Sequence, residues 1–421
     1  MKLVVLCPHF EPDTAPTGTV MTRIVHELAS RGHELHVVTS LPWYAGHAVE
    51  PEWRGRLGRT ESTAWGSITR VHPFPGTDKS NLVRRAIGFA GFSALSGLAA
   101  VRAGGWFRRV DAVFAMSPPL TLGPTGWIAA LFRRAPLVFN IQDVFPDAAI
   151  RTGAISNRRV IAVASWLERF SYERADVVTV LSDDLRANVA AKVGAARGDR
   201  VRVIGNFVDT DAIRPGPRDT EYRAELGIGD EPVVLYAGNV GFSQSLDLVV
   251  GAARRCPDVT FLVNGDGAAR PELERSAEGV GNIRFAGYQP VERLAEVLAT
   301  GDVHVVPLRP GLGDVSVPSK TYSSLAAGRP VLASIDDGTE IPRLLEVSGG
   351  GIATPPGDLD AFVAAIRALV DDPERAAELG RSGRAWAVAE ASPEAVGAAY
   401  DELFRTVGGS PSRLGMDGSP R

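Results

Sequence analysis

Short apolar runs alternate along the whole chain with stretches in which apolar residues recur three and four positions apart, the pattern of strands followed by amphipathic helices. Residues 3–6 are the first run. A loop of Pro, Gly and Thr follows from Pro8 to Gly18. Met21, Ile24, Val25, Leu28 and Ala29 then fall on one helical face, Arg31-Gly32-His33 ends that helix, and residues 34–39 form the next strand. Strand, loop, helix, strand predicts a βαβ opening. Further strands of the buried, parallel type are expected at 112–115, 137–141 and 177–181.

Midway along the 421 residues the pattern breaks at Gly205-Asn206 and again at Ile213-Arg214-Pro215, then restarts. Strands are expected at 233–236, 260–263, 283–285, 303–307 and 331–334. Helices are expected at 245–253, 271–277, 292–299, 320–327, 358–369 and 373–387, with a last one at 393–404. A turn and a Pro-containing connector between two αβ-alternating halves predict two doubly wound parallel-sheet domains. The expected division is residues 1–208, residues 209–390, a helix within 391–406 packing back on the first domain, and a Gly/Ser/Pro tail at 407–421 expected to be disordered. Sheets of this kind carry ligands at the carboxyl ends of their strands, so two that face each other would share a cleft.

Composition adds little, since 45% hydrophobic and 22% charged residues describe an ordinary globular chain. Charge adds more. Residues 1–208 hold 25 Lys/Arg and 17 Asp/Glu, whereas the remainder holds 20 and 32, so a basic half precedes an acidic one. That balance suits an anionic partner such as a phospholipid surface or a lipid pyrophosphate, or simply keeps the protein in solution. No basic stripe with interleaved aromatics points to nucleic acid. Cys7 and Cys256 are expected to be free thiols, and the opening apolar run is too short for a signal peptide, so a cytoplasmic protein is expected. Ala86 to Val101 carries no charge and is flanked by Arg84-Arg85 and Arg102, with Trp106, Arg108 and Arg109 beyond. Phe89, Phe92, Leu95 and Leu98 fit either an interfacial helix at the inner face of a membrane or a buried helix of the first domain.

Four motifs stand in order in the second half of the chain: Gly205-Asn206-Phe207-Val208-Asp209, Tyr236-Ala237-Gly238, Gly265-Asp266-Gly267, and Ala326-Ala327-Gly328-Arg329-Pro330-Val331. On these the chain resembles the GT-B glycosyltransferases, and among them the retaining family 4. Ile141 to Asp147 and Val317-Pro318-Ser319-Lys320 narrow the likeness to the subgroup of colanic-acid and O-antigen fucosyl and N-acetylfucosaminyl transferases. The resemblance implies two Rossmann-like domains, acceptor in the first and nucleotide-sugar in the second. It also implies transfer from a UDP- or GDP-sugar to a hydroxyl of a glycan or lipid-linked acceptor, with no metal or other cofactor.

A sugar nucleotide leaves as a diphosphate, whose growing charge backbone N–H groups in glycine turns can stabilise. Gly238 with Asn239 is one candidate cradle and Gly18 with Thr19 another, although Gly18 also suits an ordinary helix start. Relatives carry Arg and Lys at the positions of Asn239 and Gln244. With both missing here, Lys320 and Arg309 are the candidate cations. The family's two glutamates fall on Val315 and Ser323, so Asp314, Ser316 or backbone N–H groups of that loop are expected to take over the first. Gly265, Gly267, Tyr288 and Ser319 complete the donor-binding candidates. Asp143 and Lys320 are the catalytic candidates, Asp143 holding or deprotonating the acceptor hydroxyl or else only capping a turn. His9 and Asp147 are acceptor-binding candidates, while His33 and His36 read as structural. No His/Cys/Asp spacing resembles a metal cage. The missing residues keep two other readings open, a catalytically inactive GT-B scaffold and a sugar-nucleotide 2-epimerase.

Overall fold

The computed structural model describes residues 1–44, 46, 48–75, 82–106, 108–151 and 155–408, and these form two compact units. The N-terminal unit comprises Met1–Gly205 together with the chain from Val396 onward, and the C-terminal unit is Asn206–Ala395.

The N-terminal unit is built on eight strands, β1 (Lys2–Leu6), β2 (Glu34–Ser40), β3 (Gly58–Thr63), β4 (Gly66–Val71), β5 (Ala112–Ser117), β6 (Leu137–Ile141), β7 (Val177–Val180) and β8 (Val201–Val203), in the order β3-β4-β2-β1-β5-β6-β7-β8. All pairs are parallel except β3 with β4. β1, β5 and β6 are buried at nearly every position, as strands covered by helices on both faces must be. The antiparallel edge strand β3 adds to the doubly wound parallel sheet expected from the sequence. β3 escaped notice because it is polar and largely exposed, with no apolar alternation to mark it.

The C-terminal unit has six parallel strands, β9 (Val233–Ala237), β10 (Thr260–Asn264), β11 (Ile283–Ala286), β12 (Val303–Pro307), β13 (Val331–Ser334) and β14 (Gly351–Thr354), in the order β11-β10-β9-β12-β13-β14. Renumbered from its own start this is 3-2-1-4-5-6, the order of dinucleotide-binding sheets. The reversal falls between β9 and β12 in this sheet and between β1 and β5 in the other, and the loops leaving adjacent strands diverge there to open a crevice at the carboxyl edge.

The chain passes between the units twice, and both passages are anchored in the C-terminal unit. The Val208 N–H donates to the Ala391 carbonyl at 2.9 Å, and the Arg384 guanidinium donates to the carbonyls of Thr210, Ile213 and Ala326. The last helix, Pro393–Gly408, then joins the N-terminal unit through its aromatic face. Phe404 packs edge-on to Phe114 of β5 at 5.3 Å, and Tyr400 lies 5.4 Å from the same ring. Asn140 of β6 donates from its amide to the Tyr400 hydroxyl and to Thr179, while Gln142 donates to Asn140. Asp401 meets His33 at 2.7 Å. The helix runs to Gly408, so the expected tail beyond it, 409–421, lies outside the described residues.

Phe404 is fully buried, so Phe404→Ala should remove about 3–5 kcal/mol of stability. The loss is expected in the N-terminal unit alone, read by denaturant unfolding with hydrogen exchange resolving the two units. An equal loss in both units would contradict the assignment of this helix.

Candidate functional site

In the C-terminal unit the candidate residues gather at the reversal of strand order. Lys320 opens the helix Lys320–Ala326 and returns its ammonium group to the end of β9, where Nζ donates to the Tyr236 hydroxyl at 2.6 Å and lies 4.3 Å from the centre of that ring. Tyr236 in turn donates to the Asn239 carbonyl at 2.5 Å. No carboxylate pairs with Lys320 among the described residues. Solvent reaches part of the side chain, yet protein surrounds the ammonium closely enough that desolvation pushes its pKa down to about 7. The same desolvation raises the Tyr236 phenol well above its ordinary value, so it remains a neutral donor.

Lys320, Gly238, Tyr288 and Ser323 line one cavity of about 130 Å³, with Asn264 and Leu298 among its other walls. Ser323 is one helical turn from Lys320, on the same face. The next residue, Ser324, is engaged by His304, which burial holds at a pKa of about 3 and hence neutral. Tyr288 is exposed and donates to the Asp266 carbonyl at 3.2 Å.

Gly265 and Gly267 lack a Cβ for a reason internal to the fold. At Gly265, with φ +153°, a Cβ would stand 1.8 Å from the Gly238 oxygen, and at Gly267 one would stand 2.3 Å from the Val240 oxygen. The loops after β9 and β10 are interlocked there, with Gly238 donating to Asn264, Val240 to Asp266 and Ala269 to Val240. These two glycines therefore hold the loop that carries Gly238. Gln244 also faces inward, its amide oxygen accepting from the Gly241 N–H, whereas Asn239 is exposed at the loop surface.

The loop after β12 is held by its backbone. Arg309 donates its N–H to the Ser243 carbonyl and leaves its guanidinium exposed, without a partner among the described residues. The N–H groups of Gly311 and Gly313 are taken by the Asp336 carboxylate, which removes two of the backbone donors expected to replace the missing glutamate. Val315 is fully buried, and Ser316 follows it half-buried, its N–H donating to the Leu312 carbonyl. Ser319 is exposed and precedes the Lys320 helix without capping it through its side chain.

In the N-terminal unit a cavity of about 590 Å³ opens at the ends of β1, β2 and β5, with walls that include Trp43, Phe74, Phe89 and Pro118. His9 is its principal polar group. Nδ1 of His9 lies 2.7 Å from the buried Asp13 carboxylate, which also accepts from the Tyr44 N–H. An ionised carboxylate only accepts, so Nδ1 donates this hydrogen bond. Trp43 stacks on the imidazole at 5.5 Å. Gly18 is turned away from this space, since a Cβ there would meet the His9 Cβ at 2.8 Å. Its small size serves the contact between loop and helix.

The segment between 81 and 109 forms the helix Leu82–Arg102, whose Arg84 and Arg85 side chains lie outside the described residues. Its four expected apolar positions divide. Phe92 is buried with Leu122, Leu95 packs beside them, Phe89 lines the cavity, and Leu98 is exposed. No helix among the described residues is long and apolar enough to cross a membrane.

Asp143 follows β6, two strand spacings or ~10 Å across the sheet from β1. It is reachable by solvent, yet the protein around it desolvates the carboxyl and raises its pKa above the ordinary carboxylate value. The Asn140–Gln142–Tyr400 network beneath fixes the end of its strand. Asp147 is committed elsewhere. Burial raises its pKa, but Lys192 at 2.9 Å and Asn188 at 3.0 Å more than reverse this and lower it. Its carboxylate ties two helices together. Among the described residues, no group of three His, Cys, Asp or Glu is placed to hold a metal ion.

Asp13 and Trp43 are absent from the sequence-based candidates, and Tyr236 stands among them only as the first residue of the Tyr236-Ala237-Gly238 motif. Asp13 had a signal, standing four residues after His9, whereas Tyr236 meets Lys320 across 84 residues of chain.

Residues 17–206 match the model of the glycosyl transferase 4-like domain, and residues 231–372 match that of the glycosyl transferases group 1. The chain is 27% identical over 389 residues to WcaI of Escherichia coli (strain K12), named as a colanic acid biosynthesis glycosyl transferase, which spans 87% of this chain and 91% of WcaI. Among solved structures, sucrose-phosphate synthase from Thermosynechococcus elongatus superposes with a TM-score of 0.75 at 19% identity, covering 96% of this chain and 98% of its own. HepE of Anabaena, in complex with UDP and glucose, gives 0.70 at 17% identity, covering 96% and 100%. The chain belongs to the GT-B glycosyltransferases, with a glycosyl transferase 4-like domain followed by a group 1 domain.

Proposed function

We propose that the protein transfers a sugar, with retention of anomeric configuration, from a UDP- or GDP-sugar to a hydroxyl of a glycan or lipid-linked acceptor in bacterial cell-surface polysaccharide assembly. The observation that carries this reading is the Lys320 ammonium, held on Tyr236 without an acidic partner beside the open loop of Gly238. The relation to WcaI supports the setting in polysaccharide assembly, and the UDP in HepE supports a nucleoside diphosphate donor.

The acceptor oxygen bonds to the anomeric carbon as the bond from that carbon to the diphosphate oxygen breaks, on the same face of the sugar. The diphosphate keeps the electron pair, and the acceptor proton passes to a base or to the departing phosphate oxygen. Lys320 meets the new charge on the diphosphate. A neighbouring anion favours the charged form of a lysine, so donor binding recharges a group that desolvation had brought close to neutrality. Gly238 and Asn239 present backbone to the same anion. Ser323 offers a hydroxyl where relatives place a glutamate, a weaker grip on the ribose. Arg309, Ser316 and Ser319 stand in the flanking loops.

The cavity around His9 takes the acceptor, its Nε2 forming a hydrogen bond with a hydroxyl and its aromatic walls covering an apolar face. Asp143, whose pKa desolvation raises above the ordinary carboxylate value, is the base candidate. A cation supplied by the chain itself accounts for transfer without a metal.

Incubation with UDP- and GDP-sugars and a lipid-linked or oligosaccharide acceptor should yield a glycosidic product of unchanged anomeric configuration by NMR. Nucleotide release without such a product, with every donor, would contradict the proposal. Lys320→Met is expected to lower kcat/KM by at least ~10²-fold, whereas EDTA leaves the rate unchanged. A rate abolished by EDTA and restored by a divalent cation would overturn the metal-free reading.

The base role has its own signature. Activity should fall on the acid side as Asp143 takes up its proton, at a pH above the ordinary carboxylate range, and Asp143→Asn should both remove that limb and cost about 10²-fold or more in kcat. Full turnover with an unchanged pH profile in Asp143→Asn would rule the role out.

A further inference from the structure

We infer that the outer face of three adjoining helices in the N-terminal unit is a docking surface for an anionic phospholipid bilayer, an inference that rests on the lipid-linked acceptor reading only for its purpose. The helix Leu122–Arg133 packs Gly126 and Ala129 inward, Gly126 against Ala115 and Leu137. Its opposite side should be polar in an ordinary surface helix. Instead no polar residue occurs between Thr125 and Arg133, and Ile128, Leu131 and Phe132 are exposed, Phe132 at 70%.

The apolar surface continues on both sides. Phe170, on the helix Arg158–Arg174, lies 5.5 Å from Trp127 and 5.6 Å from Trp166, so the rings of two helices form one aromatic surface. Trp166 is 64% exposed and Val163 beside it 65%. On the other flank, Ser93 bonds to Thr121, and Arg133 reaches the carbonyls of Val101 and Gly105, which brings the exposed Leu98 and Trp106 alongside.

Charge selects the occupant. Arg102, Arg109, Arg134, Arg158, Arg159 and Arg169 border this face, and none has an acidic partner among the described residues. In the C-terminal unit, by contrast, Arg255 pairs with Asp360, Arg293 with Glu225 and Arg367 with Asp258. Helices Leu82–Arg102 and Leu122–Arg133 contain no acid at all. In the third, Glu168 is buried under Lys192 and Glu173 turns to Arg197. A second copy docking through the same face would set these cations against one another, since a two-fold interface is self-complementary in position. An anionic bilayer supplies both an apolar layer for Phe132 and Trp166 and phosphates for the arginines. The helix Leu82–Arg102 also lends Gly88, Phe89 and Phe92 to the His9 cavity, so docking would bring that cavity to the level at which a lipid-linked acceptor is presented.

The test is co-sedimentation of the full chain with phosphatidylcholine vesicles, with and without phosphatidylglycerol, while UDP and GDP binding is measured in parallel. Binding is expected only to the anionic vesicles and should weaken with salt. Phe132→Glu with Trp166→Glu should weaken it more than ~10-fold. Arg158→Gln and Arg159→Gln should each weaken it about fivefold. All variants should keep nucleotide affinity and circular dichroism. Equal binding to both vesicle types, undiminished binding by the Phe132/Trp166 variant, or a dimer in solution that this variant dissociates would overturn the inference, the last assigning the face to a second copy. A wild-type chain that binds nucleotide but neither vesicle type sinks this inference alone, whereas a wild-type chain that binds neither nucleotide sinks the functional reading.

Discussion

A lysine ammonium kept beside a phenol, with no carboxylate among the described residues to neutralise it, is the constraint on which the candidate donor site depends. Desolvation lowers the Lys320 pKa from 10.5 to about 7, which corresponds to ~5 kcal/mol against the charged form. A fold optimised only for stability would place an acid there or an apolar residue. The cost makes sense if an anion arrives to relieve it, and a nucleoside diphosphate leaving group is the anion this chemistry requires. The vacant positions of the family's Arg and Lys, here Asn239 and Gln244, then mark a relocation of charge from the β9 loop to the Lys320 helix.

The rest of the C-terminal unit supports that placement. Reversal of strand order at β9 and β12 opens the crevice, and the β9 and β10 loops are locked together by backbone hydrogen bonds that only glycine at 265 and 267 permits. Asp336 clamps the facing loop through the N–H groups of Gly311 and Gly313. In the N-terminal unit the equivalent reversal at β1 and β5 carries the His9–Asp13 pair, and the Asn140–Tyr400 bond fixes the end of β6 that bears Asp143. Both units thus put candidate site residues at strand ends whose positions are set by buried polar contacts. Such a scaffold lets the loops vary while the sheet order does not.

The architecture was legible because buried parallel strands announce themselves as continuous apolar runs, as residues 3–6 and 112–115 do. β3 and β14 were not, being a polar exposed edge and a short Gly-Ile-Ala-Thr stretch that carry little apolar signal. Lys320 could be chosen as a cation from its small, apolar helix. Its partner Tyr236 could not, because their contact is made only when two loops 84 residues apart meet. The motif glycines have a different physical reason from the expected one, since Gly18, Gly265 and Gly267 are explained by close backbone and side-chain approach rather than by open cradles. Asp147 stands in the same motif as Asp143, and its pairing with Lys192 became visible only in the structure.

The most direct measurement is the affinity of the wild type and of Lys320→Gln for the preferred nucleoside diphosphate by titration calorimetry across neutral and alkaline pH. Taking the ratio of the two affinities cancels the ionisation of the nucleotide itself. If Lys320 is the diphosphate ligand, that ratio is largest below pH 7, where the lysine is already charged, and it shrinks by up to about tenfold per pH unit as pH rises above the free protein's pKa of about 7. A ratio near one, or one that does not change with pH, would contradict the account and leave the ammonium as a structural contact of Tyr236.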